Sequence, residues 1–258
     1  AIKFVYASTF FKAAKDYRKV TGHDEKDEKM AVIIQEIIGQ RHNDRYYPHV
    51  SGVARSYNFY PMDRTKHEDG IVHLALGLGK TIVDGSVSWF YAPSYPKIEP
   101  PYRSIDDLLK HSQTEYWAVN MGNPPEYDPI KETEYLCLQN LTSAEEDGTL
   151  HYLASTYDPH SRRLTMGMGN PGPRVLTFAR LLVLKEIPIN AIITELLSVC
   201  KQAFDSDVEI EFAITLNPTC FGFLQVRRMI VSDEVVQIDA QELGGENVLL
   251  ASEDVLGN

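Results

Sequence analysis

Two alternating runs near the end of the chain constrain its fold most: Val208-Glu209-Ile210-Glu211-Phe212 and Phe223-Leu224-Gln225-Val226-Arg227. Between them lies a short polar bend, Leu216-Asn217-Pro218-Thr219, of the composition that turns a hairpin. Side chains two apart on a strand point to one face. Glu209 and Glu211 therefore share a face, as do Gln225 and Arg227. Pairing the runs can bring two carboxylates, an amide and a guanidinium to one side of a sheet. Such oxygens suit Mg²⁺, and arginine suits phosphate. A solvated face with a cross-strand ion pair has the same spacing and contributes little energy, so spacing alone leaves both readings open.

Bulk properties narrow the classes. A chain of 258 residues makes one large or two small domains, and 43% hydrophobic residues is ordinary for a globular protein. The formal charge of −11 argues against non-specific nucleic-acid binding but leaves room for a small anion in a local basic pocket. The three cysteines, Cys137, Cys200 and Cys220, form no CxxC or Cys/His cluster, which argues against structural zinc and a secreted disulfide framework. No stretch approaches the roughly 18 apolar residues of a membrane span. No signal peptide is apparent, the sequence starts at Ala1 without Met, and Glu253 to Asn258 ends without a natural finish, so the expectation is a piece of a longer cytoplasmic protein with no nucleic-acid or membrane partner.

Along the chain, Ile2 to about Val20 has helical spacing. Met30 to Gly39 is apolar and β-branched, as in a strand buried on both faces. Arg41 to Val50 is a polar excursion, Ser51 to Tyr60 a strand, Ile71 to Leu76 a buried strand, and Ser88 to Tyr91 a short one. Prolines at 93, 96, 100 and 101 mark an extended connector, and Ser104 caps a helix. About 95–170 is read as an insert of hairpins and turns. Val175 to Leu184 looks like a strand, and Ile189 to Phe204 is an amphipathic helix with Ile192, Ile193, Leu196, Leu197, Val199 and Phe204 inward. Residues 231–258 are acidic and linker-like.

Gly77-Leu78-Gly79-Lys80-Thr81 lacks the spacing of a Walker or Rossmann loop. A tight turn after a strand, or backbone N–H groups and Lys80 beside a nucleotide, both fit it. Gln35-Glu36-Ile37-Ile38 ends an apolar run, which suits a core strand emerging into solvent or one wall of an adenine slot. The eight histidines are scattered and form no catalytic or metal motif.

Five segments in order resemble the nucleotide-binding part of the phosphoenolpyruvate synthase and pyruvate phosphate dikinase family. They are Met30 to Glu36, Ser51-Gly52-Val53-Ala54, Gly77-Leu78-Gly79 with Val83-Asp84-Gly85, Val208 to Phe212, and Leu224 to Arg227. The resemblance implies an α+β, ATP-grasp-like lobe over 1–230: a mainly antiparallel mixed sheet with flanking helices. It implies ATP and Mg²⁺ as cofactors. Gln35, Glu36, Ile37 and Ile38 would line adenine, Gly77, Gly79 and Lys80 would form a nucleotide loop, and Glu209 would bind ribose or assist the metal site. Glu211 and Gln225 would hold Mg²⁺, and Arg227 would act on phosphate. Pyruvate, a first ATP-grasp lobe and a phosphohistidine domain would be partners in a longer enzyme. Lys80 stands where the family usually has an acid. A dikinase for another acceptor, such as a glucan or an antibiotic, and a non-catalytic nucleotide-binding module are the alternatives.

Overall fold

The computed structural model describes residues 2–22, 29–62, 64–126 and 135–231. The linker read over 231–258 therefore lies, beyond its first residue, outside the described residues. Contacts divide the chain into two compact units, Ala1–Ile37 and Ile38–Asn258.

The first unit carries helices α1 (Ile2–Ser8) and α2 (Lys12–Thr21). The single helix expected over 2–20 is thus broken. The Ser8 hydroxyl donates back to the Val5 carbonyl at 2.7 Å, and the chain turns through Thr9 and Phe10 before resuming. Gly22, at φ 71°, closes α2 in the left-handed conformation that glycine adopts without strain. The strand expected over 30–39 is absent. The run is non-regular, with Ile33 88% and Ile34 80% exposed. β-Branched residues favour a pleated surface only where neighbouring strands complete the ladder, and none does here among the described residues.

The second unit contains the sheets. In chain order its strands and helices are β1 (Gln40–His42), β2 (Arg45–Tyr47), β3 (Val50–Arg55), β4 (Ile71–Ala75), α3 (Lys80–Val83) and β5 (Trp89–Tyr91). Then come α4 (Ile105–Lys110), β6 (Glu115–Asn120), β7 (Leu136–Asn140), α5 (Leu141–Glu146), β8 (Ala154–Asp158) and β9 (Arg163–Met166). β10 (Arg174–Leu176), α6 (Ala179–Leu182), α7 (Ile189–Phe204), β11 (Val208–Leu216) and β12 (Thr219–Arg228) complete it. All strand pairs are antiparallel, in sheets ordered β1-β2-β6-β7, β10-β8-β9 and β12-β11-β3-β4-β5. The class is α+β, as expected.

Two further expectations change. The excursion at 41–50 is a hairpin, β1–β2, whose turn places Asn43 at φ 52°. The strand expected over 175–184 stops at Leu176. Phe178 turns left-handed at φ 52°, and α6 follows with Leu181 and Leu182 buried. The Ser104 cap holds: its side chain accepts from the Asp107 N–H at 3.1 Å.

The five-stranded sheet has a dry face and an open one. Helix α7 lies against β11 and β3 on the dry face. It buries Ile189, Ile193, Leu197 and Cys200, one stripe at helical spacing, whereas Val199, expected inward, is 52% exposed. Beneath it lie Val208, Ile210, Phe212, Ala54, Val72 and Leu74. Each large side chain buried there contributes about 1.5–3 kcal/mol. The β11–β12 register shifts between Glu211 and Phe212, where β12 uses one more residue than β11. Elsewhere in this unit, Asp147 at the end of α5 accepts from Arg45 Nη2 at 2.7 Å, Arg45 Nε at 3.1 Å and the Tyr47 hydroxyl at 2.7 Å.

Candidate nucleotide-binding face

The open face is built in rows across the ladder, because directly paired residues of antiparallel strands share a side. The first row is Arg227, Glu209, Arg55 and Ile71, and the second is Gln225, Glu211, Val53, His73 and Phe90. The third is Gly222, Ala213, Ser51 and Ala75. The hairpin thus brings Glu209, Glu211, Gln225 and Arg227 together as the alternation implied.

Glu209 is 5% exposed and charged, so it needs partners. It has two. Arg227 Nε donates to one carboxylate oxygen at 2.6 Å, and Arg55 Nε donates to the other at 2.6 Å. Glu211 is half-buried and stands directly opposite the exposed Gln225. Behind them His73 hydrogen-bonds Ser88 Oγ through Nδ1 at 3.1 Å. Burial, and then the Arg55 guanidinium, push the His73 imidazole down to about 4, against a smaller opposing pull from Glu209.

Of the four residues assigned to an adenine strand, Ile38 belongs to this unit. A Cβ on Gly222 would come within 2.4 Å of its side chain, so Ile38 sits on the third row. Gln35, Glu36 and Ile37 belong to the first unit and lie in the non-regular run. The glycine loop is anchored at the same row, where Ser51 Oγ donates to the Gly77 carbonyl at 2.6 Å. Gly77, at φ 82° with a Cβ position 2.6 Å from the Trp117 carbonyl, requires glycine. Gly79 has a helical φ of −59° and no such steric demand. Lys80 opens α3, pairs with Asp84 at 2.8 Å and lies 5.6 Å from the Trp117 ring centroid.

The sequence reading missed Arg55, His73 and Ser88. Arg55 was legible: Ser51, Val53 and Arg55 alternate on one strand, which places all three on one face.

The sequence profile described as "Pyruvate phosphate dikinase, AMP/ATP-binding domain" matches residues 1–243. The chain belongs to this family. Among curated proteins, none matches the chain. Membership makes this the AMP/ATP-binding domain of a pyruvate phosphate dikinase-like protein, in a phosphotransferase family. No described helix is long and apolar enough to cross a membrane. Among the described residues, no group of three or more His, Cys, Asp or Glu is placed to hold a metal ion.

His49 behaves like His73: it is 6% exposed, and burial pushes it down to about 4. Both folded-state values lie below the unfolded value of about 6.5. Between the two values the unfolded chain binds protons that the folded chain does not. Stability is therefore full above pH 6.5 and falls as pH drops toward 4, by up to about 3 kcal/mol per histidine. Urea midpoints measured at pH 7.5 and pH 5 should show the fall, and a His49→Gln/His73→Gln variant should flatten it. An unchanged pH slope in that variant would assign the acid sensitivity elsewhere.

Proposed function

We propose that this domain is the ATP-binding part of a phosphoenolpyruvate synthase-like phosphotransferase. The reaction would convert ATP, pyruvate and water to phosphoenolpyruvate, AMP and phosphate through a phosphohistidine on another domain. The observation that carries the reading is the in-register pairing of Glu211 with Gln225 and of Glu209 with Arg227 on one open face. The glycine loop and Ile38 border that face.

The residues fit Mg²⁺. A carboxylate and an amide oxygen stand opposite each other. Mg²⁺ commonly takes one or two protein oxygens and completes its octahedron with water and substrate phosphate, so no larger acidic cluster is needed. Glu211 and Gln225 would hold the ion, which would neutralise charge on the phosphates. Arg227 would offer its guanidinium to the transferring phosphate. Glu209 would orient Arg227 and meet the ribose or the metal's water shell. Ile38 would line adenine, and Gly77, Gly79 and Lys80 would border the phosphates; for Gln35, Glu36 and Ile37, of the first unit, the adenine role rests on the family resemblance alone. Positioning and charge stabilisation dominate phosphoryl transfer, and these groups supply both. The lobe over 1–230, the insert at about 95–170, the cytoplasmic setting, and the first ATP-grasp lobe and phosphohistidine domain in cis belong to the same proposal.

In the protein that carries this chain, Glu211→Ala should weaken Mg²⁺-dependent ATP binding at least about tenfold, since a charged ligand contributes some 1.5–3 kcal/mol. Adenosine binding should stay unchanged. Unaltered Mg²⁺ dependence of binding would overturn the metal assignment. Retained phosphotransfer would favour a non-catalytic module.

A further inference from the structure

The first row of the open face holds one more arginine than its carboxylate needs. Glu209 carries one negative charge and is matched at both oxygens by guanidiniums: Arg227 from β12 through Nε at 2.6 Å and through a close Nη2 contact, and Arg55 from β3 through Nε at 2.6 Å. One arginine would neutralise it. The second leaves the row with a net positive charge, in a protein whose total is −11. Arg55 uses only its Nε. Among the described residues, its terminal Nη groups have no hydrogen-bond partner, and its side chain is 37% exposed. An arginine fixed at Nε presents those Nη donors in a set direction, the geometry that takes two oxygens of a phosphate. Val53 beside it is apolar and His73 is held neutral, while the diagonal neighbour Glu211 faces Gln225 and, among the described residues, makes no hydrogen bond to Arg55.

We infer that Arg55 is a second phosphate-binding arginine, held by Glu209 beside Arg227 so that the two guanidiniums grip the phosphate tail of the nucleotide between them. The inference rests on the nucleotide-binding reading of this face and adds a residue to it from a different strand. Glu209 acts as the positioning residue of the pair. Ligand oxygens would meet donors already oriented, which lowers the ordering cost of binding.

The test is calorimetric titration with ATP·Mg²⁺, and separately with adenosine, of the protein that carries this chain. The unaltered protein is compared with Arg55→Met, Arg55→Lys and Arg227→Met. Arg55→Met should weaken ATP·Mg²⁺ at least about tenfold and leave adenosine unchanged, the same pattern as Arg227→Met. Arg55→Lys keeps the charge beside Glu209 and guards against a folding artefact; it should lose part of the ATP affinity because it lacks the fork. Equal ATP affinity in Arg55→Met and the unaltered protein, with Arg227→Met weakened, would overturn the inference alone. Parallel loss of ATP and adenosine in both Arg55 variants would also overturn it, by making Arg55 a purely structural partner of Glu209. An unaltered protein that takes up neither ligand would overturn the nucleotide-binding reading and this inference together.

Discussion

Asp147→Ala should cost about 3–5 kcal/mol of stability, because it breaks a buried ion pair and leaves the partner charge uncompensated. The Asp147 side chain is 4% exposed and that of Arg45 20% exposed. Asp147 takes two N–H bonds from Arg45 and one O–H bond from Tyr47, which is itself fully buried and in contact with Thr149 Oγ1 at 3.2 Å. The Tyr47 phenol is pushed far above its usual range, burial being the first cause, so it remains a donor that needs an acceptor. Removing the carboxylate orphans the guanidinium and leaves the Tyr47 hydroxyl to its longer contact with Thr149 Oγ1. Asp147→Asn keeps an acceptor oxygen and should cost less. Urea unfolding followed by circular dichroism measures both. A loss under about 1 kcal/mol for Asp147→Ala would mean that solvent reaches Arg45 and replaces the pair.

Gly52→Val should be comparably damaging. Gly52 is the second residue of the Ser51-Gly52-Val53-Ala54 motif and pairs with Phe212 and Leu74 across β3. A Cβ there would stand 2.1 Å from Phe212 Cζ. The ring cannot swing away cheaply: Phe212 is 1% exposed and stacks on Phe221 with centroids 5.2 Å apart. Overpacking of this kind costs about 1–3 kcal/mol or more, and valine adds two further methyls. The glycine therefore serves ring packing on the dry face, while its neighbours Ser51 and Val53 serve the open one. A Gly52→Ala/Phe212→Leu double variant should recover part of the loss, and a double-mutant cycle measures the coupling. Strict additivity would show that the ring is not what excludes a side chain at Gly52.

What was legible in the residues depended on range. The β11–β12 hairpin could be read because its alternation is local and its turn is a few residues long. The Ser104 cap and α7 are local too. The run at 30–39 carries the composition of a buried strand, but a strand is completed by its neighbours, and composition does not supply them. The segment at 175–184 switches from strand to helix at Phe178, whose left-handed backbone no periodicity announces. Glu209's second arginine sits 154 positions away in sequence. Only the β3–β11 register joins them, although the alternation within β3 had already put Arg55 on the right side.

The extra residue in β12 has a consequence for how one strand serves two surroundings. Counted by twos, Phe221, Phe223, Gln225 and Arg227 fall in a single series, and an unbroken pleat would line them all up together. The shift changes the strand's parity midway. Phe221 and Phe223 pair with Ile214 and Phe212 on the α7 side, while Gln225 and Arg227 pair with Glu211 and Glu209 on the other. The strand thus works as two half-strands of opposite phase. The aromatic half can be repacked without moving the polar half, and the polar half can be re-chemistried without opening the core.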